Sequence, residues 1–171
     1  MSRQDALWSW LGLAGRVMVG LAFLVSGYSK AVSAPQEFAA VIESYQIVPL
    51  DWTVPMATAM PWFELFLGAF VLTGYFRRKS AIGIGAMLVA FIWALVTAQA
   101  RGIDLGSCGC FGRFLTLKPW QATLLDVTLS FLTFSIWKDT IGKFSLDGWI
   151  EGTPVPPAPS KQPQKAHKQL P

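Results

Sequence analysis

Cys108 and Cys110 are the only cysteines in this chain of 171 residues, and a single glycine separates them. Two thiols at this spacing can close a disulfide, since residues i and i+2 just reach the Cα separation of about 4.4–6.8 Å that the bond requires. Gly109 favours so small a ring because it adopts backbone angles that other residues avoid. Strained, exposed disulfides are easily reduced and are typically catalytic. The pattern therefore predicts a redox-active dithiol; the alternative is two small buried cysteines that never pair.

Four charged residues beside apolar segments form a second candidate group, a supporting charge network: Lys30, Glu64, Arg101 and Asp126. An acid inside a membrane segment is costly and usually faces the bundle interior with a partner. Lys30 or Arg101 can therefore pair with Glu64 or Asp126 beneath the cysteine segment, and either cation can favour the thiolate form of a nearby cysteine. In the functional interpretation this network tunes a thiolate or moves protons. In the structural interpretation the charges only lock the helix packing.

Several other chemistries lack the residues that they need. Two cysteines supply half of a tetrahedral zinc site, and the one histidine, His167, is predicted to lie across the membrane from them, so no metal site is expected. Without a suitable histidine no serine or cysteine triad can be assembled, and no glycine-rich phosphate loop is present. The net charge of +4 is scattered along the chain, so no nucleic-acid surface is predicted.

The composition indicates which elements must position these residues. Apolar residues make up 53% of the chain and charged residues only 14%, with a mean hydropathy of +0.43, which is typical of a polytopic membrane protein. The sequence predicts an all-α fold, a bundle of four transmembrane helices, with a short amphipathic helix between the first and second. The amphipathic helix is predicted to lie on the membrane surface. It starts near Pro35, and its apolar residues Phe38, Val41, Ile42 and Tyr45 recur at helical spacing.

The predicted membrane domain covers residues 1–148, and residues 149–171 form a tail rich in Pro, Lys and Gln that is expected to be disordered. The transmembrane helices are predicted at about 7–30, 54–76, 80–99 and 120–137.

Basic residues predict the orientation of the bundle. Arg77, Arg78 and Lys79 mark the connection between the second and third helices as cytoplasmic. With four helices, both termini are then cytoplasmic, and the cysteine segment faces the periplasm from a bacterial inner membrane. The alternative for the first helix is a signal peptide cleaved near Ala34, and the remaining helices then keep the same orientation. A periplasmic location matters because disulfides persist there and are reduced in the cytosol.

A series of short motifs resembles the methylamine-utilisation protein MauE family, which belongs with the broader DoxX-like four-helix membrane proteins. The Cys-Gly-Cys-Phe-Gly block is the most specific motif, and the resemblance covers about residues 7 to 138. One departure is Leu125 before Asp126, where the family pattern leads us to expect an arginine. The matching motifs are Gly27–Lys30, Pro35 with Phe38, Tyr45–Pro49, Pro61–Leu65, Arg101–Gly102, Cys108–Gly112, and Trp120 with Asp126.

The resemblance implies a role in maturing methylamine dehydrogenase, a periplasmic enzyme whose small subunit contains many disulfides, alongside a thioredoxin-like partner. Two hypotheses follow. In the first, Cys108 and Cys110 exchange disulfides with a periplasmic thioredoxin-like protein or a disulfide-containing client protein, and a membrane quinone is the candidate electron carrier. In the second, the protein is a non-catalytic assembly factor, chaperone or transport protein whose cysteines are structural.

Overall fold

The computed structural model describes residues 3–103 and 117–138, with side chains from Trp10 onward and without that of Arg77. Cys108, Cys110 and the predicted tail lie outside the described residues. Every element in the described part is a helix, as the sequence predicts. The helices are α1 (Arg3–Ala31), α2 (Pro35–Ser44), α3 (Leu50–Thr73), α4 (Arg77–Ala100) and α5 (Pro119–Lys138).

Three segments of the described helices are long and apolar enough to cross a membrane: Trp10–Ala31, Leu50–Thr73 and Arg78–Ala100. The protein is therefore a membrane protein with at least these candidate spans. Large apolar side chains such as Phe66, Val89 and Leu124 are exposed on the outside of the bundle, where lipid would cover them. That α5 is a fourth span stays a prediction.

The four long helices pack in alternating directions around one core. α1 lies between α3 and α5, α4 packs mainly on α5 and less extensively on α3, and α2 folds onto the start of α3. We call the end at which α4 ends and α5 begins the loop end, because the cysteine segment connects these two helices. The centre of the bundle is filled by buried aliphatic and aromatic side chains that include Val19, Phe23, Val71, Ile84, Leu88 and Ile136.

Helix α3 corresponds to the predicted second transmembrane helix, and it begins and ends earlier than the predicted range of 54–76. It begins at Leu50, and both Pro55 and Pro61 lie within it. It ends because Gly74 adopts a left-handed conformation, with φ of 72°, and its N–H bonds back to the carbonyl of Val71. The apolar run continues through Tyr75 and Phe76 and concealed this stop in the sequence. The basic cluster at 77–79 consequently forms the first turn of α4 instead of a loop.

The short helix after Pro35 is present as α2. It buries Ala39 and Ile42 in a cluster with Ala57 of α3. A polar contact fastens the same two helices, because the hydroxyl of Thr53 donates a hydrogen bond of 3.0 Å to the carboxylate of Glu43. α2 is therefore held on α3 by both apolar and polar contacts. Its predicted position on a membrane surface stays a prediction.

α1 and α3 approach each other closely at a glycine of α1. A Cβ added at Gly27 would lie 2.8 Å from the carbonyl oxygen of Pro61 and 3.0 Å from the Cβ of Glu64. On α4, by contrast, a Cβ at Gly85 would lie 4.0 Å from Thr133, an ordinary contact. Gly27 thus permits an approach of the α3 backbone that a larger residue would prevent.

We expect Gly27→Ala to destabilise the protein by about 1–3 kcal/mol, because the backbone of α3 has to move away from the new methyl group. The matched control is Gly85→Ala, which should be neutral or stabilising by about 0.5–1 kcal/mol, since alanine is the better helix former and the space is open. Thermal unfolding of the detergent-solubilised variants measures both. Equal unfolding temperatures for the two variants would contradict the close approach of α1 and α3.

Candidate functional site

A buried ion pair joins α1 to α3. The Nζ atom of Lys30 lies 2.6 Å from Oε1 of Glu64, and the two side chains are only 2% and 1% exposed. Ser26 completes the group: its hydroxyl donates to Oε2 of Glu64 at 2.8 Å and accepts from Lys30 Nζ at 3.0 Å. Each charge in this triangle is met by an opposite charge and a hydroxyl, which is the arrangement that makes burial of two charges tolerable.

The local sequence explains how these residues meet. Ser26 and Lys30 are four residues apart, so they lie on the same face of α1. Gly27 lies beside them and lets the backbone of α3 come close enough for Glu64 to reach both.

Lys30 is near the end of α1, yet the ion pair lies well inside the bundle, away from the loop end. α3 begins fourteen residues before Glu64, which is roughly 21 Å of helix at 1.5 Å per residue. α4 likewise runs on past Phe91 to Ala100, and α2 folds over the gap. The first helix ends close to its predicted end at residue 30, but the neighbouring helices extend beyond it and enclose the Lys30 side chain.

Two aromatic rings flank the ammonium group of Lys30. Its Nζ lies 4.8 Å from the ring centroid of Phe38 on α2 and 5.5 Å from that of Phe91 on α4. Rings at these distances attract a cation through the negative charge of their faces. Four elements, α1, α2, α3 and α4, therefore each supply at least one side chain around the same ammonium group.

Asp126 is buried on α5 and lies on the other side of a small cavity from Glu64. The cavity has a volume of about 30 Å³, and Ser26 also lines it. This is the size of a single water molecule, and three oxygen-bearing side chains surround it. The structure thus brings two of the predicted acids to one internal space.

Arg101 lies apart from the ion pair. Its side chain is exposed at the loop end, and its Nη1 donates a 3.3 Å hydrogen bond to the carbonyl of Gln46. Gln46 itself adopts a left-handed conformation with φ of 53°. Of the two predicted cations, Lys30 therefore contacts a predicted acid, and Arg101 holds the connection after α2 against the end of α4.

A larger apolar cavity lies next to Lys30. It has a volume of about 200 Å³ and is enclosed by α2 and the connection after it, by the start of α3 and by the second half of α4. Lys30 is the one charged residue among the described residues that line it. Phe38 and Phe91, which flank the ammonium group, also line this cavity.

The residues on either side of the cysteine segment pack together at the loop end. Ile103 follows α4, and Leu117 precedes α5. Both pack against one cluster formed by Leu95, Ala98 and Ala122, and Tyr45 packs against the same cluster. Tyr45 and Leu95 also line the apolar cavity, so this cluster adjoins the cavity.

The sequence reasoning missed three contributors to these sites. Ser26 could have been found from its spacing of four residues before Lys30, whereas the approach of Phe91 depends on the tertiary fold. Arg16 interrupts an apolar run of the sequence, and its role lies at the opposite end of the bundle. It is buried, and it donates hydrogen bonds to the carbonyls of Val71 and Leu72 at the end of α3.

Residues 8–138 match the family model of the methylamine utilisation protein MauE. The chain belongs to the MauE family. The matched range contains α2 to α5 and most of α1, so the ion pair, both cavities and the cysteine segment all lie within the MauE region.

Two curated proteins are similar to this MauE-family chain. Protein TlpB of Flavobacterium psychrophilum is 32% identical over 134 residues, which cover 72% of this chain and 35% of TlpB. The methylamine utilization protein MauE of Methylophilus methylotrophus is 30% identical over 77 residues, 45% of this chain and 40% of that protein. The alignments thus span well under half the length of either relative. No solved structure matches the chain significantly.

Proposed function

We propose that this protein is a thiol–disulfide redox factor of the bacterial inner membrane that matures disulfide-containing periplasmic proteins. The observation that carries the proposal is that Ile103 and Leu117, which bound the cysteine segment, pack into one cluster beside Tyr45. The segment that contains Cys108 and Cys110 therefore leaves and re-enters the bundle at the same place, beside the apolar cavity that Lys30 also lines.

Chain length keeps the cysteines near that place. Cys108 follows Ile103 by five residues, and a fully extended chain covers at most about 3.6 Å per residue, so the two Cα atoms are within roughly 18 Å of each other. α4 is 24 residues long, about 36 Å. The cysteines consequently cannot reach the opposite end of the bundle, and they share the loop end with the apolar cavity.

The proposed reaction is thiol–disulfide exchange. A thiolate of a client or of a thioredoxin-like partner attacks the Cys108–Cys110 disulfide and forms a mixed disulfide. A second thiolate of the same protein then attacks that mixed disulfide and releases both cysteines of this chain as thiols. Two electrons and two protons pass to the cysteine pair, and the partner keeps a new disulfide. The reverse sequence reduces a partner disulfide.

The proposed orientation places α5 as a fourth membrane span and both termini in the cytoplasm. Arg78 and Lys79 lie at the start of α4, opposite the loop end. Short basic segments stay in the cytoplasm, so the loop end faces the periplasm. One proposed client class is the disulfide-rich small subunit of methylamine dehydrogenase, which the MauE resemblance implies, and one of the relatives is named for methylamine utilization.

A non-catalytic assembly role is the second candidate. The Lys30–Glu64 pair favours it, because an ion pair whose two charges are already matched inside the bundle can serve packing alone. In that case the cysteines are structural, and client proteins dock at the loop end without exchanging disulfides.

The redox state of the cysteine pair in intact cells tests the proposal. We expect a membrane-impermeant maleimide to label Cys108 and Cys110 only after mild reduction, because the pair rests as a disulfide on the periplasmic face. Labelling without reduction would confirm the orientation and contradict the resting disulfide. If labelling required opening the membrane, the periplasmic mechanism would be wrong.

A further inference from the structure

We propose that the apolar cavity beside Lys30 binds the head group of a membrane quinone. The proposal deepens the thiol–disulfide function, since it identifies where the electrons of the cysteine pair would go. The cavity volume of about 200 Å³ exceeds the roughly 150 Å³ of an engineered apolar cavity that holds a benzene molecule. A substituted quinone ring therefore fits.

Lys30 supplies the polar group that distinguishes a quinone from a plain hydrocarbon. An ammonium group carries three N–H donors, and among the described residues two atoms accept from it, on Glu64 and Ser26. The ammonium lies between the rings of Phe38 and Phe91, both of which line the cavity. Its third donor is consequently available to a carbonyl oxygen in the cavity.

The charge of the site selects a neutral ligand. Glu64 already neutralises Lys30 at 2.6 Å, so the group as a whole carries no net charge. A fatty-acid carboxylate or a lipid phosphate would place an unmatched negative charge in an apolar space, which is costly. A quinone carbonyl accepts a hydrogen bond without adding charge, and the two flanking rings can contact a planar ring.

The cavity also has a side that is exposed toward the lipid and a side that adjoins the residues around the cysteine segment. Trp93 and Ala90 of α4 line it and are exposed on the outside of the bundle, so an isoprenoid tail can leave toward the lipid. Met56 and Met60 of α3 provide adaptable side chains on another wall. Tyr45 and Leu95 line the cavity and belong to the cluster against which the residues that bound the cysteine segment pack.

In the proposed reaction the quinone is the oxidant of the cysteine pair, and electrons and protons balance. The Cys108 and Cys110 thiols lose two electrons and two protons and form their disulfide. The quinone takes up the same two electrons and two protons and becomes the quinol. The pair is thereby returned to the state that accepts electrons from a client dithiol.

The test is binding of decylubiquinone to the full-length protein in lipid nanodiscs, measured by quenching of tryptophan fluorescence. We expect saturable binding that Ala94→Phe weakens at least about tenfold, or ~1.4 kcal/mol, because the new ring fills the cavity. The matched control is Ala86→Phe, an exposed position on the same helix outside the cavity, which should bind like the unaltered protein. Equal binding by both variants would overturn the site.

A second ligand and a second variant distinguish failure of the quinone site from failure of the proposed redox function. Decylbenzene has a ring and a tail but no oxygen, and we expect it to bind at least about tenfold more weakly; equal binding would show a simple lipid cavity and refute the quinone. The variant with Cys108→Ser and Cys110→Ser should bind decylubiquinone normally. Binding without reoxidation of the cysteines in the unaltered protein would support the site and contradict the proposed redox function.

Discussion

Replacing either member of the Lys30–Glu64 pair should cost about 3–5 kcal/mol of folding free energy, because the remaining charge stays buried without its partner. Lys30→Met and Glu64→Leu are the variants of choice, since each keeps most of the side-chain volume. Both side chains are almost wholly enclosed, so neither remaining charge can reach water without moving a helix. Thermal unfolding of the detergent-solubilised variants measures the loss.

The double variant Lys30→Met with Glu64→Leu should recover most of this stability, since no charge is then left in the apolar interior. The four proteins form a double-mutant cycle whose interaction energy isolates the pair. Arg101→Met, at an exposed cation of the loop end, is the matched control and should change stability by less than about 0.5 kcal/mol. Additive losses in the double variant would show that the two charges are not coupled.

Replacing one cysteine by serine should abolish disulfide transfer completely and leave the folded protein intact. Exchange needs one thiol to form the mixed disulfide and a second to resolve it. We therefore expect Cys108→Ser or Cys110→Ser to accumulate a mixed disulfide with its periplasmic partner, seen as a shifted band that a reductant removes. The double variant should form no such band.

The matched control for the cysteine variants is Ser107→Ala, which alters the same segment without touching a thiol. It should keep the disulfides of client proteins at the level of the unaltered chain. Full client disulfides in the double cysteine variant would instead support the non-catalytic assembly role. The unfolding temperature of each variant shows whether a lost activity reflects a lost fold.

The sequence predicted the helices well because apolar runs and breakers determine them locally. It did not identify which cation meets which acid. Lys30 and Arg101 both follow long apolar runs, and only the extension of α3 and α4 beyond α1 makes Lys30 internal. The stop at Gly74 was concealed for a similar reason, since apolar residues continue past it.

No feature of the sequence predicted the apolar cavity. Its walls come from α2, α3 and α4, and its volume depends on how α2 folds back over the start of α3. Phe38 and Tyr45 were predicted as apolar positions of a surface helix, and the structure shows that they line an internal space. Such a cavity depends on how the helices lie relative to one another, and the hydrophobic periodicity of each helix does not encode that arrangement.

The charge pair between α1 and α3 also sets an order of events during biosynthesis. Lys30 precedes Glu64 by 34 residues, so α1 emerges from the ribosome before the helix that carries its counter-charge. Lys30 lies in the last turn of α1, where a lysine without a partner can extend its side chain toward the membrane surface. The Lys30 side chain can therefore reach its buried position only after α3 has arrived, and α2 is the tether that keeps the two helices within reach.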